Sequence, residues 1–154
     1  MGSYGNLNYK EFNELKKQIE QLDNKKTEFI EACAKELAAR LLRAASNKTP
    51  VGVYPSGSGK VGGTLRRGWT VGNIQHVGDM YKIEIVNPVE YASYVEYGHR
   101  QEPGRFVPAI GKRLKESWVE GKFMMTIAEQ EIDSIAPRIL EKKLKKMLGE
   151  VIGW

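Results

Sequence analysis

EFNELKKQIEQLDNKKTEFIEACAKELAARLLRAA, residues 11–45, contains neither proline nor glycine and carries an apolar residue every third or fourth position. Phe12, Leu15, Ile19 and Leu22 follow one another at 3-4-3 spacing, which places them on one face of a helix. Asp23-Asn24-Lys25 interrupts the pattern, and Phe29, Ile30, Cys33, Leu37 and Leu41 resume it. One long bent helix and two consecutive helices both fit. The absence of Pro and Gly between Leu7 and Pro50 favours one. Asn8 and Glu11 have capping-box spacing at its start. At 1.5 Å per residue such a helix is roughly 55 Å long. That is longer than a domain of this size is wide, so part of it is expected to project and pack on a neighbour.

Outward from this helix the chain changes character. Pro50 to Gly63 is dominated by Pro, Gly and Ser, too little apolar surface to offset the entropy of ordering, and reads as a mobile loop at about 51–63. Gly59-Lys60 is not a phosphate loop. Tyr54 stands where that motif needs its first Gly, and Val61 follows the Lys in place of Ser or Thr. Leu65–Val71 and Asn73–Val77 read as strands, Gly78-Asp79 as a turn, and Tyr81–Ile85 as a strand alternating at period 2. Together they predict a meander of two to four strands. Tyr91 to Tyr97 predicts a two-turn helix stopped by Gly98, and His99–Arg105 a polar loop. Phe106, Val107, Ile110 and Leu114 have the spacing of a further helix. From Met124 to Leu148 an amphipathic pattern predicts a long C-terminal helix, kinked or split near Ser134 by Pro137. The expectation is one α+β domain spanning residues 1–154: a long N-terminal helix, a small antiparallel sheet of two to four strands, a short helix and a C-terminal helix.

Composition limits the function. The chain has 154 residues and a net charge of +5. The excess is spread evenly: 9 basic against 7 acidic side chains in residues 1–50, 6 against 5 in 51–105, and 9 against 7 in 106–154. A nucleic-acid-binding module, the reading that the charge invites, usually concentrates its basic residues. The densest cluster is Lys142, Lys143, Lys145 and Lys146, which reads as a solvated helix face near a helix C-terminus. Cys33 is the single cysteine and lies at an apolar helical position, so an inert buried thiol is expected. His76 and His99 are the only histidines, and neither has metal-ligand spacing around it. No nucleophile motif or paired carboxylate stands out. The chain is expected to be no enzyme and to need no cofactor or metal, and no stretch approaches the ~18 apolar residues of a membrane span.

Five segments in order resemble the neck or tail-completion proteins of tailed phages, of the HK-ninety-seven gene-product-ten type and the PBSX-like prophage type. The fullest is Asn87-Pro88-Val89-Glu90-Tyr91-Ala92-Ser93-Tyr94-Val95-Glu96-Tyr97-Gly98-His99-Arg100, similar to a family helix ending in Val-Glu-Tyr-Gly. Pro103 to Phe106 resembles the Pro-Gly-Arg-Phe stretch that follows it. Thr49-Pro50-Val51 and Gly63-Thr64-Leu65-Arg66-Arg67-Gly68-Trp69 resemble the family's Thr-Pro-Val start and its Gly-x-Leu-Arg-x-Ser-Trp strand opening. Trp118 to Met124 is similar to members from contractile-tailed phages of Gram-positive hosts. The resemblance covers about residues 8–130. The Gly/Ser run separates two blocks that are usually close together, so this loop is expected to meet a particle-specific partner.

The resemblance implies a structural virion protein of the head–tail neck, assembled in the bacterial host cytoplasm. It would be a subunit of a homo-oligomeric ring of six or twelve copies between the connector and the tail terminator or tail tube. DNA would pass through the ring without sequence-specific binding. A tail-terminator or collar subunit of a headless tail-like bacteriocin is the nearest alternative. Candidate subunit or partner contacts are Trp69, Arg66, Arg67, Tyr91, Tyr94, Tyr97, Arg100, Arg105 and Phe106, because aromatics and arginine dominate interface hot spots. Core positions for the aromatics and ordinary surface positions for the arginines are the alternatives.

Overall fold

A computed structural model of the chain describes residues 9–153. Helix α1 runs unbroken from Tyr9 to Lys48. Asp23-Asn24-Lys25 therefore interrupts the apolar pattern without ending the helix. The expected cap at Asn8 lies outside the described residues.

At the other end of the chain, Met124–Ile152 forms a second long helix, numbered α4 because two short helices intervene. The long helices are antiparallel. Lys48, at the end of α1, pairs with Glu131, near the start of α4. Glu36 pairs with Lys143 at 2.7 Å, and Lys25 and Glu28 share a cavity with Lys146 and Glu150. The core lies at the upper end of this pair, where Ala44, Ala45, Ala128 and Ile132 are buried and Leu37, Leu41, Trp69 and Met125 pack on them. Small side chains at a helix contact let the axes approach closely. Pro137 neither ends nor splits α4. Its ring deprives the Asp133 carbonyl of a helical donor, but both residues are exposed and water can replace it.

Between the long helices the chain forms two hairpins and two short helices. The expected strand from Leu65 begins instead as a helical turn, α2 (Thr64–Arg67). Gly63 enters it at φ 94°, and the Arg67 N–H donates to the Gly63 carbonyl at 3.0 Å. The run's strand is then only β1 (Thr70–Val71). It pairs with β4 (Ile85–Val86), and within that frame β2 (Gln75–Val77) pairs with β3 (Met80–Lys82), both antiparallel. Three residues, 72–74, face two, 83–84. The expected meander is therefore one hairpin with a bulge, held there by the Gly72 N–H on the Glu84 carbonyl at 2.8 Å. The alternation over 81–85 is real: Tyr81, Ile83 and Ile85 are half-buried, while Lys82 and Glu84 are exposed.

The second hairpin follows α3 (Ala92–Tyr97). Strand β5 (Gly98–Arg100) pairs with β8 (Trp118–Glu120), and β6 (Phe106–Val107) with β7 (Lys112–Arg113). This corrects two expectations. The polar loop begins as a paired strand, and the helix over Phe106–Leu114 is a hairpin. Pro108 and a Gly111 at φ 63° turn the chain between β6 and β7, and four apolar residues do not outweigh that turn chemistry. The result is α+β, with long helices at both ends and small antiparallel ladders between them.

Candidate functional site

The residues singled out by motif form two internal braces. The first is built on Thr49, which is fully buried. Its hydroxyl donates to the Ala45 carbonyl at 2.7 Å and accepts the Trp69 Nε1–H at 2.7 Å. Its carbonyl accepts both Nε and Nη2 of Arg66, at 3.1 and 2.7 Å. Asn87 extends the brace by donating Nδ2–H to the Leu65 carbonyl at 2.8 Å and accepting the Val89 N–H at 3.2 Å. Gly68 is needed there, because a Cβ would lie 2.5 Å from the Asn87 side-chain oxygen.

The second brace is Glu96, whose side chain is buried. Its carboxylate accepts the Met125 N–H and the Thr126 N–H at 3.0 Å each, and the Thr126 hydroxyl at 2.8 Å. It thus caps the N-terminus of α4 from a different element, where an anion also suits the helix dipole. Phe123, the residue in the cap position, offers no side-chain bond and sits at φ 47°. The Lys122 and Phe123 N–H groups donate to the carbonyls of Val95 and Glu96 at 2.7 and 3.0 Å. Gly98 and Gly121 complete the joint: a Cβ on Gly98 would meet the Val119 carbonyl oxygen at 2.5 Å, and one on Gly121 the Glu96 carbonyl oxygen at 2.3 Å.

These braces sort the candidate contact residues. Trp69 is half-buried on the core, and Arg66 is held by Thr49. Arg67 donates Nη1–H to the Gly62 carbonyl at 3.2 Å, tying down the end of the Gly/Ser segment. Tyr91, Tyr94, Tyr97 and Phe106 are exposed, by 43, 57, 66 and 51%. Arg100 and Arg105 are exposed as well. Trp118, which sequence reasoning did not single out, is 50% exposed and lies opposite Arg100 across the β5–β8 pair. It lines an open cleft of about 780 Å³ with Arg100, Arg105, Gln101, Glu102 and Ser117. Tyr94 contacts the His99 ring at 5.6 Å between centroids. Thr49, Asn87 and Glu96 are the structural residues that sequence reasoning missed. The motifs pointed at their positions, but their partners lie far along the chain.

Among the described residues no group of three His, Cys, Asp or Glu side chains is placed to hold a metal ion, and no helix is long and apolar enough to cross a membrane. His76 stacks on Tyr81 at 4.5 Å. The Cys33 thiol is buried, and burial pushes its pKa up against an opposing pull from Lys143. A raised pKa keeps a thiol protonated and unreactive. In the lysine cluster, Lys143 is engaged by Glu36 and Lys145 by Glu141 at 2.6 Å.

A family model described as "HK97-gp10_like: Bacteriophage HK97-gp10, putative tail-component" matches residues 13–98. That is more than half of the chain, from the second turn of α1 to the glycine that ends α3. No curated protein and no solved structure matches the chain.

Proposed function

Since the chain belongs to the HK97-gp10-like family of phage tail components, we propose that it is a non-catalytic structural subunit of the head–tail neck, acting in tail completion as part of a connector ring. The observation that carries this reading is the division among the motif residues. Thr49, Arg66, Trp69, Asn87 and Glu96 direct their polar atoms inward, to other parts of the same chain. The exposed side chains along α3 and the following hairpin include Tyr94, Tyr97, Phe106 and Trp118, with Arg100 and Arg105 among the charged residues that surround them. Tyr, Trp, Phe and Arg are the residues enriched at interface centres. A ring of six or twelve copies has heterologous contacts that close on themselves, so one subunit's aromatic patch meets a different surface of the next. The neighbours along the particle axis are connector, tail-terminator or tail-tube proteins, and DNA passes through the lumen.

Electron microscopy of particles from a producer lacking this gene tests the proposal. Full heads and separate, unjoined tails are the expected products. Tails of uncontrolled length would move the protein to tail termination. Normal, joined, infectious particles would refute a structural role in the neck.

A further inference from the structure

We propose that the free chain forms a two-fold, antiparallel dimer through the first half of α1, centred between Ile19 and Leu22. The observation is a seam that the chain leaves unfinished. From Phe29 onward the apolar stripe of α1 runs beside α4. Helix α4 ends at Ile152, close to the turn of α1 whose Lys25 and Glu28 share a cavity with Glu150. Before that turn α1 continues for more than four turns. Between Lys10 and Glu28 only Gln18 and Leu22 are half-buried, and every other described side chain is exposed. Leu15 and Ile19 are 53 and 56% exposed. A helix of about this length without a tertiary partner is marginal in water.

The uncovered stripe has the geometry of a coiled-coil seam. Leu15, Ile19, Leu22 and Phe29 fall on a 3.5-residue repeat, with Lys26 at the intervening position. The stripe opens into a mainly apolar groove lined by Ile19, Leu22, Phe29, Ile30, Leu144 and Met147, with Asp23 and Lys26 at its edge.

Two arguments select a second copy of this chain as the occupant. The first is length. With Ile19 set against Leu22, residues 9–25 of one copy run beside residues 16–32 of the other, so the overhang is covered over its whole length. The second is charge. Setting Ile19 against Leu22 of the second copy places Leu15 along the aliphatic stem of Lys26. The same register brings Lys16 opposite Asp23, and the two-fold axis repeats both contacts. Among the described residues, Lys16 pairs with Glu20 of its own helix in an exposed contact at 3.9 Å, which is worth little. The pairing uses neither α3 nor the second hairpin, so it stands or falls apart from the neck reading.

Sedimentation of the purified full chain tests it. A monomer–dimer equilibrium with a midpoint on the order of 10 µM is expected. Ile19→Asp should leave a monomer up to about 100 µM that keeps the urea unfolding midpoint of the dissociated wild-type chain and loses helical circular dichroism only to the extent of the unpartnered first turns of α1, since Ile19 is mostly exposed in its own chain. Lys16→Asp and Asp23→Lys should each weaken the dimer about tenfold by setting like charges opposite one another twice, and the double swap should restore it. A wild-type monomer at about 100 µM overturns the proposal. So does a dimer that survives Ile19→Asp, or an open series of larger species. A double swap weaker than either single one overturns the antiparallel register and with it the proposal.

Discussion

Helix α4 begins at a residue with positive φ and no capping side chain of its own, yet two of its first N–H groups are satisfied, because Glu96 reaches them from α3. Replacing Glu96 by Ala leaves both donors and the Thr126 hydroxyl without that acceptor in a part-buried place. A lost cap costs about 1 kcal/mol, and because these groups are only part-buried, water recovers most of the about 1–3 kcal/mol that each would cost if fully enclosed. Glu96→Ala is therefore expected to lower unfolding free energy by about 2–4 kcal/mol in urea. Glu96→Gln, which keeps one acceptor oxygen, should cost less than half as much. If the two variants are equally stable, the carboxylate is not the brace. The string Val-Glu-Tyr-Gly marked this residue in the sequence, but its role was not legible there. Its partners are 29 and 30 positions away, and a single sequence contains no signal for which distant N–H a side chain meets. Thr49 was hidden for the same reason, with Trp69 arriving from 20 residues downstream.

The long helices were legible because their evidence is local and repeated: about eleven turns of one period in α1 and about eight in α4 outvote the polar interruption at Asp23-Asn24-Lys25 and the proline at 137. The strands are two or three residues long, shorter than any period that can be counted. What fixes them is cross-strand pairing around a bulge, a glycine or a proline. That is why Phe106–Leu114 read as a helix and folds as a hairpin. The helix pair also carries a test in acid. Glu36 accepts a side-chain bond from Lys143 on α4 and another from Arg40, and these hold its carboxyl below the ordinary range. A carboxylate whose folded pKa is depressed contributes stability above its unfolded pKa and loses it as pH falls through the folded value. Stability should therefore fall as pH drops below the usual glutamate range of about 4. Glu36→Gln should flatten that part of the profile, with a small amplitude because the pair is partly exposed. Equal pH profiles for the two chains would remove Glu36–Lys143 from the helix contact.

At the scale of the molecule, the fold separates a braced frame from parts that frame holds outward. The frame is α1, α4 and the joints at Thr49 and Glu96. Residues 101–117 lie outside it. The backbone bonds of this arm run within the arm itself, Gln101 to Ser117, Gly104 to Leu114 and Leu114 to Arg105, and the Arg113 side chain closes on the Gly104 carbonyl at 2.7 Å. Replacing 101–117 by a short turn on the β5–β8 base therefore removes few contacts to the frame. Unfolding free energy should change by less than about 1 kcal/mol, as for surface changes away from buried features. The same replacement deletes Arg105 and Phe106 and uncovers one side of Trp118. If these aromatics and arginines join one subunit to the next or to a neighbouring ring, the shortened protein will be folded and soluble but will not restore head–tail joining to a producer lacking the gene. The paired readout matters, because an unfolded variant would also fail to join heads to tails. Normal joining by the shortened chain would shift the contact surface back to α3 and its three tyrosines. A stable chain that fails to join would place the interface on an arm whose sequence looked, residue by residue, like a polar loop followed by a helix.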